Sequence, residues 1–372
     1  MKWLLTEDWS THLYAEPLFH RLAELGEDVH AFKECSFYPT APPAGVLAPW
    51  RARWIQAQHR LRAGPRTLQL NLALLRRAEN LRPDVLLLFR GDQVWPSTLA
   101  AIKQRGVYVV GWHNDNPFSS AYPWYIWRHF RRSIPLYDRL YAYRQSNIED
   151  FARAGCTRIG QLRSFYLREL NHPVPVPPTP EYVNGVCFCG HWEPDGRDDY
   201  IAGLLDAQDL DFRLWGTLWE RSPLFPRIER RFGRIGPLYK ESYNLALNGT
   251  KIALVFLSGL NQDTYTRRCF EIPAAGTFML AQYTPDLASM FSEGIEAEYF
   301  RTPAEMLSKI RYYLVNELAR NQIAAAGRER LLRDGHEALD RARQVRDDVV
   351  RDIQNLSGNS SSSAGYNHVP RA

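Results

Sequence analysis

Tyr243–Leu280, YNLALNGTKIALVFLSGLNQDTYTRRCFEIPAAGTFML, decides how the chain reads. Lys251 to Leu257 is a short apolar run rich in β-branched and aromatic residues, the length of one buried strand. Ser258-Gly259 breaks it. Asn261, Asp263 and Thr264 each suit a helix N-cap, so a helix is expected from there to about Ala275. Gly276 ends it, and Thr277 to Gln282 starts a second buried strand. Strand, polar loop and helix start make the edge where an open parallel sheet binds ligands. Free N–H groups at the helix start favour an anion, and Arg267 and Arg268 suit a phosphate. Asp263 and Glu271 form Asp-x7-Glu, and on one helix that spacing places both on one face. Carboxylates bind sugar hydroxyls and arginines bind diphosphates, so a nucleotide sugar fits.

The same β/α pattern extends upstream. Gly185 to Cys189 reads as a strand, and Gly190 after it lets a ligand approach the backbone. A helix over Asp199 to Ala207 and a strand over Phe212 to Trp215 follow. Asp209-x-Asp211 matches a metal motif but precedes a strand in a turn, and is set aside. Downstream, Pro303 opens a helix to about Asn321, with Met306, Ile310, Tyr313 and Leu314 at core spacing. Further helices are expected over Gln322 to Leu332 and on to Leu356.

The first half repeats the pattern. Strands are expected at Lys2 to Thr6, Val29 to Phe32, Val85 to Phe89, Val107 to Trp112, Asp138 to Tyr143 and Leu162 to Tyr166. No Gly-x-Gly-x-x-Gly follows the first strand, which argues against dinucleotide binding there. Trp54 to Leu81 reads as one basic helix, either a solvated face or a surface for anionic lipid head groups. His172 to Pro180, HPVPVPPTP, is a stiff extended linker. The expected organisation is an acceptor domain at 1–171, a hinge at 172–183 and a donor domain at 184–335. A returning helix at 336–356 and a disordered Ser-rich tail at 357–372 complete it.

Asn261, Thr266, Arg268, Phe270-Glu271-Ile272-Pro273-Ala274, Gly276 and Phe278-Met279-Leu280 together resemble the CgeB-like (spore-maturation-protein-like) glycosyltransferases, a branch of the GT-B glycosyltransferases. Arg82 to Phe118, ending in Trp112-His113-Asn114-Asp115-Asn116-Pro117-Phe118, resembles the same family. The resemblance implies a GT-B fold, two doubly wound Rossmann-like α/β domains facing across a cleft. It implies a metal-independent, hexosyltransferase-like enzyme of polysaccharide or glycoconjugate assembly that needs no cofactor beyond its nucleotide-sugar donor. Glu271 matches the position that binds the donor ribose. Asp263 stands at the position near the transferred sugar, one methylene shorter than the family's Glu. Arg268, Arg197 and the helix start near Thr264 to Thr266 would hold the diphosphate, Gly236 and Tyr239 the base, and Arg267, Asn261 and Gly190 complete the donor-binding set. On the acceptor side His113 and Asp115 are candidates, Asp115 to take the proton of the attacking hydroxyl. Glu7, Asp8 and His12 would line the acceptor side. Analogy with Glu-x7-Glu enzymes points to retention at the anomeric carbon.

Composition fits a two-domain protein: 372 residues, 45% hydrophobic and 23% charged. Net charge is +5, which suits a phosphate-bearing ligand or an anionic membrane face and does not demand nucleic acid. The five scattered cysteines, including Cys187-x-Cys189 within a strand, argue for a reducing cytosol and against a disulfide framework or zinc knuckle. Acceptors open at this point are a glycan, a lipid-linked sugar or a protein. Two rivals remain: a nucleotide-sugar epimerase, and a non-catalytic nucleotide-sugar-binding or surface-assembly protein.

Overall fold

The computed structural model describes residues 1–7, 13–39, 48–174 and 179–362. They form two compact units: Met1–Arg163 with Ala338–Ala372, and Ser164–Glu337. The segment 172–180, expected as a linker, falls within the second unit, and its residues 175–178 lie outside the described residues.

The first unit holds a six-stranded sheet. Its strands are β1 (Lys2–Glu7), β2 (Asp28–Lys33), β3 (Val85–Phe89), β4 (Tyr108–His113), β5 (Arg139–Ala142) and β6 (Ile159–Gln161), in the order β2-β1-β3-β4-β5-β6. All pairs are parallel. The second unit holds β7 (Asn184–Cys189), β8 (Phe212–Trp215), β9 (Thr250–Val255), β10 (Phe278–Gln282) and β11 (Glu298–Phe300), in the order β11-β10-β9-β7-β8, again all parallel. Strands covered on both faces need apolar residues at every position, and β3 (VLLLF) and β4 are buried throughout. The fold is two Rossmann-like α/β domains. Strand order reverses between β1 and β3 in one sheet and between β7 and β9 in the other. Connections leave to opposite faces there, which opens a crevice at the carboxyl ends of the strands.

Several expectations need correction. The helical stretch before Leu81 is two helices, Ala48–Leu61 and Pro65–Leu81. The backbone turns left-handed at Arg62 and Gly64, and Pro65 then takes a first-turn position where its missing N–H is harmless. Leu162 to Tyr166 is not a strand. β6 ends at Gln161, and Tyr166 makes only an isolated bridge to Glu337. The helix from Pro303 stops at Val315, and the next runs Glu317–Arg333. β11 and the helices Phe225–Phe232 and Pro285–Met290 were not anticipated. The last helix spans Ala338–Ser362, past Leu356 and into the serine tract; residues 363–372, like 40–47 of the early Pro-rich loop, lie outside the described residues.

That last helix belongs to the first unit. Ala338, Ala342, Val345 and Val349 recur at helical spacing and are buried. Asp352 accepts from Tyr108 Oη at 2.6 Å and from Arg139 at 2.6 and 3.0 Å, and Asp348 accepts from Tyr141 Oη at 2.9 Å. Burial opposes the charge of Asp352, but the bonds from Arg139 and Tyr108 outweigh it and hold its carboxyl below the ordinary range. Among the described residues no helix is long and apolar enough to cross a membrane.

Candidate functional site

In the second unit three glycines meet at the ends of β7 and β8. Gly190 N–H donates to Trp215 O at 2.9 Å, and Gly216 N–H donates to Gly236 O at 2.9 Å. Trp219 Nε1 donates to Gly190 O at 2.9 Å. Gly216 has φ +152°, and a Cβ there would lie 1.8 Å from Gly190 O, so only glycine closes this corner. A Cβ on Gly190 would lie 2.9 Å from Arg268 Nη2, which places that guanidinium over the backbone at the end of β7.

Arg268 opens a seven-residue helix, Arg268–Ala274. Its Nε donates to Cys189 O and its guanidinium lies over the Phe188 ring at 5.7 Å. Among the described residues it makes no ion pair. Its neighbours differ. Arg267 is buried, pairs with Glu271 Oε1 at 2.5 Å and stacks on Phe165 at 5.3 Å. Arg197 is buried and bound to Asp195 at 2.5 and 2.7 Å, with Glu193 at 3.8 Å and the His191 carbonyl also engaged. Among the described residues Asp195 and Glu193 pair with Arg197 and Glu271 pairs with Arg267, whereas no carboxylate lies within ion-pair distance of Arg268. Glu271 uses one oxygen on Arg267, and its side chain keeps 10% exposure.

The helix begins four residues after Thr264, so Asp263 and Glu271 do not share a helical face. The intervening chain is a folded loop. Gln262 N–H donates to Gly259 O, Asp263 N–H to Ser258 O at 2.9 Å, and Gln262 sits at φ +54°. Thr264 Oγ1 donates to Asp286 at 2.6 Å instead of capping the helix. Asn261 N–H reaches Ser258 Oγ at 3.4 Å. Thr266 Oγ1 is buried with no partner. Tyr239 is exposed at the cap of the helix Lys240–Gly249.

Sequence reasoning missed two groups here. Glu193 bridges the loops after β7 and β9, which flank the reversal: His191 Nε2 lies 2.6 Å from Oε1, and Ser258 Oγ donates to Oε2 at 2.6 Å. Burial opposes its ionisation, but the His191 and Ser258 bonds and the charge of Arg197 outweigh it and hold it below the ordinary range. Tyr243 Oη is buried with no partner. Burial first, then the charge of Glu271, pushes its pKa well up, so it is a neutral hydroxyl with a proton to donate. A Tyr one turn into a helix leading to a buried strand was the available signal.

In the first unit the ends of β3 and β4 carry Arg90, Asp92, His113 and Asp115. Arg90 pairs with Asp115 at 2.7 Å and lies over Trp127 at 5.1 Å. Asp92 pairs with Arg62 at 2.5 Å; burial opposes its charge, but Arg62 and then Arg90 hold it low. His113 is buried against Trp127 and Phe130, with ring centroids at 4.7 and 4.3 Å. Burial pushes its pKa down to about 4. Nδ1 faces the Asp115 carbonyl at 2.9 Å, so it carries the ring proton. Nε2 is left as a lone-pair acceptor, sealed from solvent and without a partner. The structure thus brings His113 and Asp115 together, and gathers Gly190, Gly236 and Arg268 in the second unit. Asp8 and His12 lie outside the described residues. Among the described residues no group of three or more His, Cys, Asp or Glu is placed to hold a metal ion.

Residues 198–347 match the family described as glycosyl transferase-like. No curated protein sequence matches the chain significantly. Solved structures of similar fold include sucrose-phosphate synthase of Thermosynechococcus elongatus, at TM-score 0.67 and 12% identity over 95% of this chain and 99% of that one. Alr3699/HepE of Anabaena, in complex with UDP and glucose, has TM-score 0.64 and 11% identity over 94% of this chain and all of the other. A glycosyltransferase of Rickettsia africae gives 0.64 and 12% over 95% and 98%. Residues 198–347 thus resemble a glycosyl transferase-like domain, and the two Rossmann-like α/β domains match the GT-B fold of these structures.

Proposed function

We propose that the chain moves a sugar from a nucleoside-diphosphate sugar to an acceptor hydroxyl, and that within the GT-B glycosyltransferases it is of the CgeB-like kind. One observation carries the reading: at the carboxyl end of β7, beside the strand-order reversal, an arginine without a counter-charge is held over a glycine. Arg268 is the diphosphate contact in this reading. Arg197 and Arg267, already balanced by carboxylates, hold the loop and Glu271 in place. The second oxygen of Glu271 accepts from the ribose hydroxyls. The buried hydroxyls of Thr266 and Tyr243, which have no hydrogen-bond partner among the described residues, are further candidate donors.

In the reaction the anomeric C–O bond breaks towards the phosphate. The nucleoside diphosphate leaves with the bonding pair, the acceptor oxygen bonds to the anomeric carbon, and the acceptor's proton passes to the departing phosphate oxygen. Arg268 stabilises the charge that gathers on the leaving phosphate, so the step is expected to run without a metal. One HepE structure is a complex with UDP-glucose, which makes UDP the first nucleotide to test. A glycan, a lipid-linked sugar or a protein is the acceptor class, and the reaction belongs to cytoplasmic polysaccharide or glycoconjugate assembly.

Thermal shift with UDP, GDP and dTDP, followed by donor hydrolysis over a nucleotide-sugar panel with and without EDTA, tests the proposal. One diphosphate should raise the melting temperature, and Arg268→Ala and Glu271→Ala should abolish the shift while keeping the fold. Turnover unchanged in Glu271→Ala, or no shift with any nucleotide, would overturn the assignment.

A further inference from the structure

The helix Ala48–Leu61 has two faces. Ile55 and Gln58 are buried against the first unit. On the other face Trp50, Trp54, Ala57 and Leu61 recur at i, i+4, i+7 and i+11, a single stripe about 16 Å long. The large members of that stripe face solvent: Trp50 is 70% exposed, Trp54 57% and Leu61 47%. Trp124, 73% exposed, stands at the Leu61 end. Arg128 lies over its ring at 6.0 Å and donates to Leu61 O at 2.8 Å. Arg53 and Arg60 flank the stripe, and Arg53 lies 5.8 Å over the Trp50 ring.

Along this stretch of sequence charge has one sign, and of its arginines Arg62 is paired with Asp92. From Ala48 to Ala78 there are seven arginines and neither Asp nor Glu. A solvated helix face would mix charges and would not present two tryptophans. A symmetric second copy would set arginine against arginine. A stripe of Trp and Leu edged by Arg matches a different surface, the interface of an anionic bilayer, where indoles settle at head-group depth and guanidinium groups meet lipid phosphates.

We propose that this stripe seats the first unit on an anionic lipid surface, as a peripheral contact that does not span the bilayer. The contact is independent of sugar transfer and makes no use of the donor-site residues.

Flotation of the full-length protein with vesicles of phosphatidylcholine alone, or of equal phosphatidylcholine and phosphatidylglycerol, tests it. The bound fraction should be about tenfold higher on the anionic vesicles at low salt and should fall as salt is added. W50S/W54S and R53E/R60E should each lower it by about tenfold or more, with unchanged circular dichroism and melting temperature. R153E/R343E, the same charge change elsewhere on the first unit, should leave it unaltered. Equal loss in that control would reduce the effect to net charge and overturn the proposal. So would wild-type binding by W50S/W54S, or failure to float accompanied by self-association that W50S/W54S removes.

Discussion

The two sheet edges that carry polar residues are built on opposite electrostatic plans. At the ends of β3 and β4, Arg62 meets Asp92 and Arg90 meets Asp115, and the imidazole between them is neutral. At the end of β7, carboxylates likewise balance Arg197 and Arg267, yet Arg268 beside them is left positive. A balanced edge offers an uncharged hydroxyl a set of hydrogen-bonding groups and gives an anion little reason to stay. An edge with one surplus cation attracts a phosphate. The difference teaches that the number of arginines at an edge says little about anion binding until their partners are counted.

Substitutions sharpen or break this contrast. The largest effect should come from a balanced arginine: Arg197→Ala strands Asp195 and Glu193 and should lower stability by about 3–5 kcal/mol in urea unfolding. Arg268→Ala should lower stability by only about 1 kcal/mol but weaken nucleoside-diphosphate binding on the order of 100-fold, about 2.7 kcal/mol, by calorimetry. Arg90→Ala should change that affinity less than about threefold, and an equal loss there would erase the contrast.

The neutral edge should show itself in acid. An unfolded histidine titrates near pH 6.5, whereas folded His113 does so at about 4. Between those values the unfolded chain holds a proton that the folded one lacks. Stability is therefore full above pH 6.5 and falls by about 1.4 kcal/mol per pH unit on the way down to 4. His113→Asn should remove that slope and leave a smaller one from His129, whose pKa burial also lowers. The smallest effect belongs to Glu193, whose folded pKa is depressed. Its contribution is present above about pH 4.3 and lost as pH falls through the folded value. Glu193→Gln should lower stability by about 1 kcal/mol at pH 7 and progressively less in acid.

Much of the fold was legible because buried parallel strands write themselves as unbroken apolar runs. Val85–Phe89 and Phe212–Trp215 were read to the residue. β11 has three residues and no room for a pattern. Leu162 to Tyr166 looks like a strand because its apolar residues are buried, although its backbone leaves the ladder after Gln161. The break at Gly64-Pro65 was written plainly but outvoted by the apolar period on both sides of it. At the site, residue types pointed to Gly190, Arg268 and Glu271. Pairing was harder. Arg267 four residues before Glu271 is the spacing of a helical ion pair, so that partner was within reach of the sequence. Arg197 reaches Asp195 and Glu193 through a loop whose path no periodicity encodes. The helix starting at Arg268 rather than Thr264 follows from Thr264 bonding Asp286, a contact between segments far apart in sequence.

The route of the chain bears on its synthesis. Strands β1 to β6 emerge first, yet Tyr108, Arg139 and Tyr141 wait for Asp348 and Asp352 near the other end. The Ser164–Glu337 unit is continuous and can close while still attached to the ribosome, so the portion begun earliest is finished last. A chain cut after Glu337 should keep its later half ordered and leave its opening half loose and prone to degradation.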